Sequence, residues 1–390
     1  MKINTITDLC TGCRTCEQLC PKHCITMEPD HEGFLTAYID EEKCIKCGLC
    51  RKRCPQNIDN LQNAIPQKTY AVRLKDELTL YKSASGGAFA GLAICVIENG
   101  GIVYGARYDE NLRVFHSKAK TIEEVIPQLS SKYVQSDTEH TYTEVKEQLA
   151  AGRLVLYSGT GCQIAGLKSF LKKDYPNLIL VDLVCHGVPS PLLFAKYIEL
   201  LEKKHGAKIK EFDFRDKKNG WGCGIKYKYK YKYKYGRSEY SPYFKYFMDG
   251  VIYRECCYKC KYANTQRCGD ITIADYWGIN KCHPEFFSTK GVSLVLINTS
   301  KGQKFFENSF GKFHYIESRL EYAVENNENL KKPTTRKNHI RNTIYCGIND
   351  MKVEKYFKEK FPLNIPTKQK IKLLIPTRVK LILKKILNRN

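Results

Sequence analysis

Hydrophobic and polar positions change their period several times along the chain, and each change predicts an element. Phe34 to Asp40 alternates apolar and polar residues, the period of a short, half-buried strand. At Ser83 a turn of small residues, Ser83-Ala84-Ser85-Gly86-Gly87, leads into an apolar helical run that ends near Asn99-Gly100-Gly101. Arg153-Leu154-Val155-Leu156-Tyr157 predicts a buried strand, followed by the turn Ser158–Gln163 and a helix through Lys172. Leu178 to Val184 predicts a second strand, so the segment forms one βαβ unit. Ile271–Tyr276 and Gly291–Asn298 predict two more strands. Lys226 to Tyr235 alternates strictly, which at period two places five lysines on one side of a strand and five tyrosines on the other. No window holds 18 or more consecutive apolar residues, so no membrane span is expected.

Two features of composition change this picture: 19 cysteines and a formal net charge of +23. Cysteine at that density implies either a disulfide scaffold or metal ligation. Met1 to Asp8 has no apolar secretory segment, so the expectation is a reducing cytoplasm in which thiols serve as metal ligands. Cys10, Cys13, Cys16 and Cys20 are followed by Pro21, and Cys44, Cys47, Cys50 and Cys54 by Pro55. Three cysteines at this spacing can wrap a tight loop around one corner of a cuboidal cluster. Zinc is the alternative, but it prefers ligands in two pairs, and two matched quartets fit it poorly.

Residues 1 to about 60 resemble bacterial-type two-cluster ferredoxins. That resemblance implies crossed ligation, in which the fourth cysteine of each run serves the other 4Fe-4S cluster. Cys10, Cys13, Cys16 and Cys54 would hold one cluster, and Cys44, Cys47, Cys50 and Cys20 the other, forming a short wire. Cys24, outside both quartets, reads as a small core residue.

Beyond the linker Asn57–Gln67, Cys162 and Cys185 follow the two strands of the βαβ unit, so both are expected at one crevice at the carboxyl ends. The SxSGG turn at Ser83, SGTGCQ at Ser158, VCHGVPS at Val184, the CxxC of Cys257 and Cys260, and GDITIADYWG at Gly269 occur in order. Together they resemble the beta subunit of coenzyme F-420 hydrogenase/dehydrogenase, over roughly residues 65 to 310. The resemblance implies FAD, with Ser83, Ser85, Gly86 and Gly87 as its phosphate loop. Ser131 and Lys132 would form a second flavin-contacting segment, the lysine offsetting pyrophosphate charge. It also implies a third 4Fe-4S cluster beside the flavin at Cys162, Cys185, Cys257 and Cys260, with Cys268 as an alternative fourth ligand. The family's turn has proline before its cysteine, whereas Gly161 precedes Cys162. Cys256, Cys223, Cys282 and Cys346 have no partner spacing and are expected to carry no chemistry. His186 reads as a turn residue or a proton donor, and Asp270 and Asp275 as turn and strand-end groups. No residue is singled out as catalytic.

The expected fold is α+β or α/β: a two-cluster ferredoxin domain over 1–60, then a mixed α/β flavin-binding domain in two parts, 68–150 and 151–310. A basic carboxyl-terminal extension occupies 311–390. The expected function is that of an iron–sulfur flavoprotein oxidoreductase passing electrons between 4Fe-4S clusters, FAD and a deazaflavin or other organic substrate. A non-catalytic electron-transfer subunit is the alternative. Its redox partner would be a ferredoxin, a deazaflavin or another reductase. A nucleic-acid partner is disfavoured, because no recognised motif accompanies the Lys-Tyr run. From Lys368 onward there are eight Lys or Arg and no acid, and Val379, Ile382, Leu383 and Ile386 share one helical face. That pattern fits contact with the inner face of an anionic membrane, and equally a disordered or partner-docking tail.

Overall fold

The computed structural model describes residues 9–222 and 224–365. Cys223 and the basic tail with its apolar helical face lie outside the described residues.

The amino-terminal unit is small. Strands β1 (Ile25–Pro29) and β2 (Leu35–Ile39) form an antiparallel hairpin, Ile25 opposite Ile39. Short helices Thr15–Leu19 and Leu49–Lys52 follow the first thiols of each quartet. Its buried centre is made largely of thiols: Cys24 and Cys54 with Ile25 and Ala37, bordered by Cys10, Cys16, Cys20, Cys44 and Cys50. A core so poor in aliphatic side chains needs another source of stability, which metal ligation supplies in units of this size.

An eight-stranded mixed sheet dominates the rest. Its strands are β3 (Lys68–Leu74), β4 (Ile102–Tyr108), β5 (Val114–Ala119), β6 (Val155–Thr160), β7 (Leu178–Leu183), β11 (Ile271–Asp275), β12 (Ser293–Ile297) and β13 (Phe313–Ser318), in the spatial order β13-β3-β12-β11-β7-β6-β4-β5. The central four, β4, β6, β7 and β11, run parallel, and the outer pairings are antiparallel. Strands buried on both faces read as near-continuous apolar runs, which is why β6, β7 and β12 were legible in the sequence. The predicted βαβ unit is β6, helix Gly161–Leu171 and β7, the helix opening on a reciprocal cap in which Thr160 N–H donates to Gln163 Oε1 at 3.0 Å. The predicted apolar helix spans Ala88–Glu98. The segment read as an extension begins by supplying β13, which pairs with β3. It continues into helices Asn338–Ile344 and Val353–Lys360, which close an aromatic core with helix Pro191–His205.

The Lys-Tyr run departs from its expected form. It folds as a hairpin of β9 (Gly224–Tyr229) and β10 (Lys232–Arg237), beside β8 (Ile209–Asp216), turning at Lys230-Tyr231, where Lys230 takes φ +49°. Residues directly opposed across an antiparallel pair share a face. Tyr229 opposes Lys232 and Lys228 opposes Tyr233, so the turn exchanges the two residue types and each face carries both. One result is cross-strand cation–π stacking: Lys226 lies 5.1 Å and Lys228 5.3 Å from the Tyr233 ring.

The amino-terminal unit is fastened to the sheet. Arg14 forms a bidentate ion pair with Asp137, Arg341 another with Glu32, and Thr15 Oγ1 donates to the Gly166 carbonyl at 3.0 Å. A Cβ on Gly166 would stand 2.8 Å from Thr15 Oγ1 and 3.2 Å from the Cys13 Cβ, so only glycine allows this approach. No described helix is long and apolar enough to cross a membrane.

Candidate iron–sulfur and cofactor site

The eight thiols of the amino-terminal unit gather as two groups. Burial, followed by the charges of Cys13, Cys10 and Cys54, pushes the Cys16 thiol well up. Cys54 is likewise raised to about 12, chiefly by burial and then by Cys13 and Cys10. These four are the cysteines expected at one cluster. In the second group, burial and the charges of Cys44 and Cys47 raise Cys50, and Cys20 Sγ lies 3.4 Å from Cys24 Sγ. Cys24 is therefore buried as expected, and it also touches Cys20, a thiol of the second group. Crowded thiolates are unfavourable without positive charge between them, and every described cysteine is free of disulfide bonds. Cys47 is exposed, whereas Cys13 is buried against the sheet, so the second quartet faces outward and the first inward.

A third set of thiols stands at the carboxyl ends of the parallel strands. Cys162 follows β6, Cys185 follows β7, and Cys257 and Cys260 sit on the loop before β11. All four line one cavity of about 290 Å³. Burial and then the charges of Cys260 and Cys256 raise Cys185 to about 12. Cys256, expected to carry no chemistry, is thus beside Cys185, Cys162 and Cys260, although it does not line the cavity. Cys268 is buried nearby, also off the cavity wall, with its N–H donating to Asp182 Oδ2 at 3.0 Å. Cys282 and Cys346 lie elsewhere, each bonded to its own helix or turn.

The same cavity is walled by Ser83, Ser85, Gly87, Ser131 and Lys132. Gly86 is not on the wall: a Cβ there would lie 2.3 Å from Ser293 N and Val72 O, so this glycine permits close strand packing. The hydroxyls of Ser83 and Ser85 donate to the Thr79 and Val292 carbonyls, at 2.8 and 2.9 Å. Helix Ala88–Glu98 starts at this wall behind Gly87, whose φ of +79° brings the backbone in close. Lys132 Nζ donates to the Leu129 carbonyl at 2.7 Å, and burial pushes the amine down to about 7. His186 is exposed at the cavity, with Phe247 edge-on to its ring. Asp275 is held by the fork of Arg215 at 2.8 Å and by Trp221 Nε1–H at 2.8 Å, whereas Asp270 accepts from Leu180 N–H and the Thr299 hydroxyl, away from the wall.

Several wall residues escaped the sequence reading. His116 donates from Nε2 to the Ser158 carbonyl at 3.0 Å and accepts at Nδ1 from Ser136 at 2.8 Å, and burial lowers it to about 4. Arg267 bridges Asp182 and the Leu183 carbonyl behind Cys185. Tyr262, its hydroxyl donating to the Pro55 carbonyl at 3.1 Å, packs between the first quartet and Cys162. No local spacing marks any of them. Thiol groups fit iron–sulfur clusters by their number and chemistry.

Fold and thiol chemistry define an iron–sulfur electron-transfer protein. The family model for the carboxyl-terminal part of the coenzyme F420 hydrogenase/dehydrogenase beta subunit matches residues 152–318, and that of the 4Fe-4S dicluster domain matches residues 9–58. The chain is thus similar to the coenzyme F420 hydrogenase/dehydrogenase beta subunit over residues 152–318 and carries an amino-terminal 4Fe-4S ferredoxin domain. That domain is 35% identical over 75 residues to a 7Fe ferredoxin of Hydrogenibacillus schlegelii, covering 18% of this chain and 90% of that protein. An uncharacterized ferredoxin of Methanocaldococcus jannaschii is 36% identical over 70 residues, covering 17% and 90%. A chain of the F420-reducing [NiFe] hydrogenase complex from Methanosarcina barkeri superposes with 18% identity over 69% of this chain and 92% of its own, at a TM-score of 0.45, too low to bear on function.

Proposed function

We propose that the chain is a flavin-dependent iron–sulfur oxidoreductase. In this reading Cys10, Cys13, Cys16 and Cys54 ligate one 4Fe-4S cluster, Cys44, Cys47, Cys50 and Cys20 a second, and Cys162, Cys185, Cys257 and Cys260 a third. FAD occupies the cavity at Ser83, Ser85, Gly87, Ser131 and Lys132. The observation that carries the reading is the shared cavity: the third thiol set and the flavin-type segments face one space, with the first quartet packed behind it. FAD, when bound, supplies the exchange between single electrons and the electron pair of an organic acceptor, such as a deazaflavin. The chain's own residues position it. The start of Ala88–Glu98 would sit beside its anionic part, and an anion beside Lys132 would restore that amine's charge. The Arg215–Asp275 pair fixes the Ala84 carbonyl, and His186 stands where a proton can be passed to substrate. The exposed Cys47 end of the wire would meet a one-electron partner such as a ferredoxin.

Anaerobic purification with iron, sulfide and flavin quantification tests this. The expected result is about twelve irons and one FAD per chain. About eight irons with no flavin after reconstitution would leave an electron-transfer subunit without its own substrate.

A further inference from the structure

Among the buried arginines, Arg254 differs from the others. Arg215, Arg267 and Arg341 each pair with a carboxylate. Arg254 is only 6% exposed, yet its three side-chain bonds go to neutral oxygens: Nε to the Cys10 carbonyl at 2.7 Å, Nη1 to the Leu35 carbonyl at 2.8 Å and Nη2 to Thr36 Oγ1 at 3.0 Å. Asp30, which also acts on it at longer range, is engaged by the N–H groups of Glu32 and Phe34. A buried guanidinium without a carboxylate is costly unless other negative charge stands near. Here the charges that act on it most strongly are those of Cys10 and Cys256, with Cys257 further down the order.

The backbone of the same residue completes the junction. Its N–H donates to the Val188 carbonyl at 2.9 Å, on the turn that begins at Cys185, and its carbonyl accepts from Cys257 N–H at 2.9 Å. One residue thus touches the loop of the first quartet with its side chain, and two segments of the third thiol set with its main chain.

We propose that Arg254 is the electrostatic coupler between the first quartet and the third thiol set, a positioning residue whose charge raises the reduction potential on both sides. The proposal rests on the reading of a third cluster given above. Net charge and hydrogen bonding near the sulfurs set the potential of such clusters, and a fixed cation favours the more negative, reduced state. Because the same cation faces both sides, removing it should lower both potentials together.

The test is a potentiometric titration of the anaerobically isolated full chain, followed by electron paramagnetic resonance, with iron counted first. Arg254→Gln keeps a polar side chain but removes the charge. It should lower both potentials, with a tenfold fall in the reduced-to-oxidised ratio at fixed potential, about 59 mV for one electron. Arg254→Lys keeps the charge and should retain most of the potential. Arg341→Gln, which breaks the Glu32 tether instead, should leave both potentials in place. Unmoved potentials in Arg254→Gln at full iron content would overturn the proposal, as would a Lys variant shifted as far as the Gln variant. If Arg254→Gln fails to hold its iron, the Lys variant decides. About eight irons in the parent chain would remove the third cluster, and the proposal with it.

Discussion

The chain builds its thiol sites in two ways. In the amino-terminal unit, each loop carries three cysteines within seven residues, and in the proposed ligation the fourth serves the other loop. The third set draws one thiol from the end of β6, one from the end of β7 and two from the loop before β11, nearly a hundred residues of chain apart. The first kind closes short loops at small entropic cost and is assembled by its own metal. The second exists only once the sheet has aligned its strands, so its geometry is inherited from the global fold. A spacing pattern can specify the first kind. The second requires topology.

Three substitutions sharpen that contrast. Asp182 has no exposed surface, and its carboxylate accepts from Cys268 N–H, Gly269 N–H and the Thr272 hydroxyl while pairing with Arg267. Asp182→Asn should destabilise the sheet by about 3–5 kcal/mol, because Arg267 is left buried and uncompensated. In a denaturant titration monitored by iron release, the third set should empty well before the two quartets. Simultaneous loss would erase the distinction between the two kinds of site.

The next effect in size is a dependence on pH. Burial holds His116 at about 4 in the folded chain, below its ordinary 6.5. A depressed histidine stays neutral when folded, so its contribution is complete above pH 6.5 and is lost as the pH falls toward 4. Between pH 7 and pH 5 it should cost the sheet about 2 kcal/mol, and His116→Gln should remove that part of the dependence in chemical denaturation curves. The smallest effect falls at the seam. Gly166→Ala gains helix propensity but drives its methyl into Thr15 Oγ1 and the Tyr142 hydroxyl, each 2.8 Å away. A net loss of about 1 kcal/mol is expected, with limited proteolysis of the linker rising before any change in the sheet.

The same contrast explains what the sequence made legible. Spacing alone singled out the eight amino-terminal thiols as candidates, and continuous apolar runs located β6, β7 and β12. The Lys-Tyr run misled because period-two alternation is blind to a turn whose residues are also Lys and Tyr: Lys230 adopts φ +49° with no glycine or asparagine to announce it. Cys256 was set aside for want of a partner spacing, and in the fold its charge acts on Cys185 and Cys162. His116, Tyr262 and Arg254 carried no signal at all, since the side-chain partners of each lie 20 or more positions away.

The fastening of the amino-terminal unit has a kinetic consequence. Arg14 on Asp137, Arg341 on Glu32 and Arg254 on the Cys10 loop hold it at three separate points. Carriers on flexible tethers spend much of each cycle searching for a productive pose. In the proposed route no search would be needed: electrons would pass between the unit and the sheet across a fixed gap, set by the width of the packed seam and indifferent to the viscosity of the solvent. The encounter at the exposed Cys47 end would be a matter of diffusion.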